Sequence, residues 1–338
     1  MSFFDKKINV SKFTLDEPLF IDEIKGKMEK FTAPKLNTVD TEIVTGWSNA
    51  EDLTSTNLDN AIIAEKYLYA NMRISVKKLP SGLFKMVLAQ KISEYKKENG
   101  KDFIPSKVKK ELKEEVAERL LPSIAPTVKN IWVIFTDDGE IFAGTTSKTE
   151  KQLLYDLVYK TLGADIECVT FEKYIEGVAP AEFFTDIFRV YDVSEFENRF
   201  YTVLSPFTLE STEESPCVKT GLSGLNVEDS SELTAALKEG KLFSKIRLSV
   251  ASGLFEKYLV SGFVDENDIF TFTINANGGL DGVVLPECET FTFEELFVER
   301  TELLKSLFKL ICMMAEDFSK KVSLPEYEAI KKEWIEGR

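Results

Sequence analysis

The 338-residue chain carries 42 Lys and Arg, 57 Asp and Glu and no histidine, for a formal charge of −15. Lack of histidine excludes Ser-His-Asp and Cys-His catalysis, histidine-ligated zinc and an imidazole proton shuttle. An apolar content of 43% with 29% charged residues is that of a folded globular protein of about two domains, and it leans toward binding rather than catalysis.

In chain order, residues 8–15 (INVSKFTL) read as a strand, and 20–31 has apolar residues at helical spacing. Residues 61–77 (AIIAEKYLYANMRISVK) read as one long strand, broken by Leu79-Pro80-Ser81-Gly82. A helix follows over 82–98, with Leu83, Val87 and Ile92 on one side and Asn99-Gly100 as its stop. The next helix opens at Pro105-Ser106 and runs to Pro122, with Val108, Leu112, Val116 and Leu120 as a buried stripe. Residues 130–144 predict a hairpin turning at Asp137-Asp138-Gly139, and 149–162 a helix stopped by Gly163. A short helix is expected over 232–240, and strands at 241–250, 254–263 and 268–275. A turn at Asn277-Gly278-Gly279 follows, then helices over 293–319 and 325–336. The expected class is α+β with an antiparallel β-rich centre. It divides into a central region of 1–60 with 130–170, a basic strand-helix-helix region of 61–129, an acidic aromatic-rich insertion of 171–230, and a C-terminal β-rich region of 231–338 with terminal helices.

Charge is unevenly spread. Lys66 to Lys129 holds 15 Lys and Arg against 7 Asp and Glu, a surplus of +8 that leaves −23 for the rest. Residues 164–217 are the acidic extreme, with twelve carboxylates against Lys173, Arg189 and Arg199. A basic zone on an acidic body can hold a polyanion locally while repelling it elsewhere. Lys109 and Lys113 are like charges at i,i+4, a mildly unfavourable spacing that a phosphate backbone would relieve.

Few chemical motifs are present. No Walker loop and no GxGxxG fingerprint occurs, and GLSGL (221–225) reads as a turn. Asp137/Asp138 and Asp265/Glu266/Asp268 have the composition of a two-metal nuclease site, but both sit at predicted turns, where Asp and Glu are common. No cofactor and no metal are expected. Cys168, Cys217, Cys288 and Cys312 fit neither a disulfide framework nor a metal site and read as free thiols. The first residues lack the apolar run of a signal peptide, and the most apolar stretch, 307–315, is too short to span a membrane. The expected setting is cytoplasmic and nucleoid-associated, with no membrane.

Gly46-Trp47, the segment AIIAEKYLYANMRISVKKLPSGLFKMVLAQKI (61–92) and the lysine-rich helical pair ending EVAERLLP (115–122) closely resemble the RdgC family of recombination-associated proteins. The resemblance continues through the hairpin 131–143, the helix ending Leu162-Gly163, ELTAALKEGKLFSKIRLSV (232–250) and the terminal helix 293–319. It implies an RdgC-like fold whose homodimer closes a ring around duplex DNA in a positively charged hole. It also implies little sequence preference, a role in restraining RecA-type recombination, and no catalytic site.

The leading expectation is therefore a non-enzymatic, sequence-independent protein that encircles or coats double-stranded DNA, with single strands as a secondary ligand. Candidate phosphate contacts are Lys77, Lys78, Lys85, Lys91, Lys96, Lys97, Lys101, Lys107, Lys109, Lys110, Lys113, Arg119 and Lys129, with Lys241, Lys245 and Arg247 as a weaker second group. The alternative is a protein-interaction or anti-defence inhibitor. It would use the acidic aromatic segment 171–217 on the same scaffold to engage a recombinase or host defence protein.

Overall fold

The structure, a computed structural model, describes residues 2–35, 43–50, 62–64, 66–100, 103–170, 178–191, 201–211, 219–223, 231–251, 269–275, 278–288 and 292–336, with positions 55, 57, 58, 172 and 175. Its architecture is α+β. The strands are β1 (Ile8–Leu15), β2 (Ile43–Ser48), β3 (Ile62–Ala64), β4 (Tyr67–Val76), β5 (Thr127–Thr136), β6 (Glu140–Ala143), β7 (Ile166–Cys168), β8 (Tyr201–Glu210), β9 (Lys219–Leu222), β10 (Leu242–Ala251), β11 (Ile269–Asn275) and β12 (Leu280–Val284). They form a sheet in the order β2-β4-β5-β6-β1-β12-β11-β10-β8-β9, with β3 on β4 and β7 on β1, and the pairings between these strands are antiparallel.

β1 joins two half-sheets. Its first residues pair with β12, while Ser11–Thr14 pair with β6. In the N-terminal half, alternation sorts each strand between two cores. Leu68, Ala70, Met72 and Ile74 of β4 face α1 (Ile21–Met28) and α4 (Lys148–Leu162), together with Ile131, Val133 and Phe135 of β5. Tyr67, Tyr69 and Trp132 face the other way, against Phe3 and Phe297. Phe297 belongs to α7 (Phe293–Val322), a 30-residue helix that also packs Leu307, Ile311 and Met314 on Val250 and Phe272 of the C-terminal half-sheet. One helix thus spans both halves. α5 (Pro180–Tyr191), α6 (Ser231–Lys238) and α8 (Pro325–Glu336) complete this layer. Among the described residues no helix is long and apolar enough to cross a membrane.

Several expectations change. Residues 61–77 form two strands, not one: β3 folds back on β4 with Ala64 opposite Tyr67, in a tight hairpin that lacks the Gly, Asn or Pro that usually marks one. β4 is then an interior strand between β2 and β5, and of the expected strand-helix-helix region 61–129 the part between Val76 and Thr127 lies outside the sheet. The acidic segment is woven into the C-terminal half: β8 pairs with β10, and α5 buries Phe183, Phe184, Ile187 and Phe188 in the core. Those three rings are unavailable as an exposed docking surface, while Phe171, Phe196 and Phe200 of the same segment lie outside the described residues. The expected strand 254–263, Asn277, and Asp265, Glu266 and Asp268 lie outside the described residues.

Candidate functional site

β4 and β5 pair over ten residues each, from Tyr67 opposite Thr136 to Val76 opposite Thr127. Between Val76 and Thr127 the chain leaves the sheet as a helical hairpin, α2 (Ser81–Asn99) and α3 (Ser106–Leu120). At 1.5 Å per residue, α2 extends about 28 Å. Gly100, at φ 59, ends α2 in the left-handed conformation that glycine adopts without penalty. The arm carries its own small core. Leu88 of α2 and Val116 of α3 are buried, flanked by half-buried Phe84, Val87, Ile92, Val108, Leu112 and Leu120. Neither helix adds a side chain to the two main cores. The α3 stripe faces inward as its spacing predicts, but on α2 the buried position is Leu88, and Leu83 is exposed.

The candidate lysines divide by what the fold gives them. Lys78, Lys85, Lys97, Lys107, Lys109 and Lys113 are exposed and Lys96 half-buried, and none makes an ion pair with a described residue. Along α3, Glu111, Glu114, Glu115 and Glu118 recur every three or four residues and share one flank, while Lys109 and Lys113 occupy the other. Lys110 sits at the border, 3.7 Å from Glu114. Exposed Arg119 lies near Glu115. Neither helix has an acidic residue in its first turn, where the helix dipole favours anions.

Other candidates are committed elsewhere. Lys77 is 6% exposed and donates to the Pro122 carbonyl at 3.3 Å, a bond at the root of the arm. Lys91 bonds Glu115 at 2.7 Å, tying α2 to α3 and holding the Glu115 carboxyl below its usual range. Lys129 pairs with Glu150. The second group is absorbed as well: Lys241 pairs with Glu239 at 3.1 Å, Lys245 with Asp281 at 2.7 Å, and Arg247 is engaged on half-buried β10. Lys101 lies outside the described residues.

Sequence reasoning misses two polar networks formed by distant residues. Under α7, Lys305 bonds Asp138 at 2.6 Å and lies 3.7 Å from Glu140, which also pairs with Lys12. Burial and the bond to Glu302 push the Tyr67 hydroxyl well above its ordinary range. Burial raises Asp138, but its bonds from Lys305 and Thr136 outweigh that and hold the carboxyl below its usual value. The Asp137/Asp138 turn is thereby a docking point for α7. Among the described residues no group of three or more His, Cys, Asp or Glu is arranged to hold a metal ion.

The second network closes the junction of the half-sheets. Buried Lys151 donates to the Gly278 carbonyl at 3.0 Å and approaches the Cys168 sulfur at 3.5 Å. Asp281 accepts from Thr146 at 2.6 Å, Lys245 at 2.7 Å and Asn275 at 3.0 Å. Gly279, at φ 102, lets the chain pass where a Cβ would meet the Ser11 hydroxyl at 2.7 Å.

No curated protein matches the chain. Residues 4–253 match the family described as "Putative exonuclease, RdgC". That span takes in the N-terminal half-sheet, the whole arm and the strands up to β10, which is most of the chain. The protein is a member of the RdgC family.

Proposed function

We propose that this protein binds double-stranded DNA without sequence preference and without cutting it, as a homodimer that encloses or coats the duplex and obstructs a RecA-type recombinase. The observation that carries this reading is the arm: two helices standing off the cores, with exposed lysines free of ion pairs among the described residues and no carboxylate in either first turn. Lysine ammonium groups neutralise phosphates wherever the backbone runs and carry no base information, so affinity would be salt-sensitive and sequence-tolerant. An acidic body around a basic arm confines the contact to that arm. Recombination-related DNA binding is also what membership of the RdgC family suggests.

The family description names an exonuclease, and the test must separate binding from cutting. A gel shift on random duplex should show binding at low salt that weakens at moderate salt. Duplex and single strands incubated with Mg²⁺ or Mn²⁺ should stay intact. Cleavage abolished by Asp137→Asn or Asp265→Asn would replace the non-enzymatic reading with a nuclease.

A further inference from the structure

The tip of the arm carries an anomaly. Phe103, in the connector between α2 and α3, is 76% exposed, while its neighbour Ile104 is half-buried. Pro105 holds an extended conformation, φ −58 and ψ 146, immediately before α3. Ile104 is thus partly covered while the Phe103 ring stands in solvent. Along the chain Phe103 lies between Lys96 and Lys97, which with Glu98 belong to the last turn of α2, and Lys107 in the first turn of α3. An exposed aromatic ring with exposed lysines on the helices either side suits a ligand that is anionic along its length and presents flat apolar faces.

We propose that Phe103 is a base-stacking residue: it holds an unstacked nucleobase against its ring while the neighbouring lysines take the flanking phosphates. This rests on the DNA-binding reading above and adds a preference to it. Every base has a π-face and phenylalanine has no hydrogen-bonding group, so such a contact tolerates any sequence. In continuous duplex those faces are covered by adjacent base pairs. Phe103 reaches them only in a single strand or at a gap, end or kink, and the arm therefore favours such DNA over intact helix.

The experiment uses the full chain and fluorescence anisotropy with two probes, oligo-dT and a blunt random duplex of equal length, across a salt series. Phe103→Ala should weaken binding to oligo-dT by about 5- to 160-fold, the weight of one base–aromatic stack. Its salt slope should stay as in the wild type, because no cation is removed, and duplex affinity should change by less than about twofold. Phe103→Trp should restore the single-strand affinity. Wild-type protein that binds neither probe overturns the DNA reading and the stack with it. Wild-type protein that binds with a normal salt slope, while Phe103→Ala matches it on both probes, overturns only the stack. A Phe103→Ala variant that lowers the oligomeric mass in light scattering and weakens both probes equally would assign the ring to a protein contact and overturn the proposal.

Discussion

At the scale of single residues, the arm separates lysines that look alike in sequence. Lys107, Lys109, Lys110 and Lys113 lie within one stretch of α3, and three of them make no ion pair with a described residue. Replacing all four with glutamine should change folding stability by less than about 0.5 kcal/mol, as is usual for exposed positions. On duplex DNA, each phosphate deprived of its lysine should flatten the plot of log affinity against log salt by roughly 0.9, equally for every sequence. Binding isotherms at several salt concentrations measure this. An unchanged slope would make the helix a solvated face and leave the DNA reading without its carrier. Lys77 sits at the other limit: its ammonium already bonds Pro122, so changing it should disturb the arm's attachment instead of the salt slope.

At the scale of elements, the arm is a unit held mainly by its own packing. Its small core and the Lys91–Glu115 bridge fasten α2 to α3, while β4 from Tyr67 to Ser75 and β5 from Ile131 to Thr136 are buried on both faces. A segment with little buried apolar surface opens at lower free energy than the sheet that supports it. Amide exchange over 81–120 should accordingly be faster than over 67–76 and 127–136. Val116→Ala should lower arm protection further, by about 1–2 kcal/mol as a small core truncation, and leave the strands unaltered. Equal loss of protection in arm and strands would show that the two open together.

At the scale of the whole molecule, the half-sheets are joined by β1, by α7 and by buried polar bonds. Burial pushes the Asp281 carboxyl up, but bonds from Lys245, Thr146 and Asn275 outweigh it and keep it below its ordinary 3.8. Because the folded value is depressed, this stabilisation is fully present above about pH 3.8 and is lost as pH falls through the folded value. Asp138 follows the same sign. Lys305, raised above its ordinary 10.5 by the bond to Asp138 and the nearby Glu140 despite burial, loses its contribution only at the alkaline end. Asp281→Asn should lose about 1–2 kcal/mol at pH 7, discounted because Lys245 is partly exposed. It should also narrow the difference between stabilities at pH 7 and pH 3. Urea midpoints at the two pH values would show this, and a difference equal to the wild type's would remove Asp281 from the acid response. The proposed ring makes a separate demand: light scattering at micromolar concentration should give about twice the chain mass, and a single-chain mass would eliminate enclosure by two copies.

What lies within a few turns of chain is legible in the sequence. β1, the 131–143 hairpin, the α3 stripe and the helix ends at Gly100 and Gly163 appear as their patterns predict, because periodicity and left-handed caps are settled by near neighbours. The lysine concentration on the arm is legible for the same reason. The number of candidate lysines left unpaired is not: Glu150 is 21 residues from Lys129, Asp281 is 36 from Lys245, and Pro122 is 45 from Lys77. The two-strand pairing of 62–76 and the burial of the α5 phenylalanines likewise depend on strands and helices from elsewhere in the chain. Sequence alone determines that this protein has a basic helical pair on an acidic α+β body. Only the tertiary structure decides which charges stay in water, because an ion pair forms by distance in space and chain separation carries no information about it.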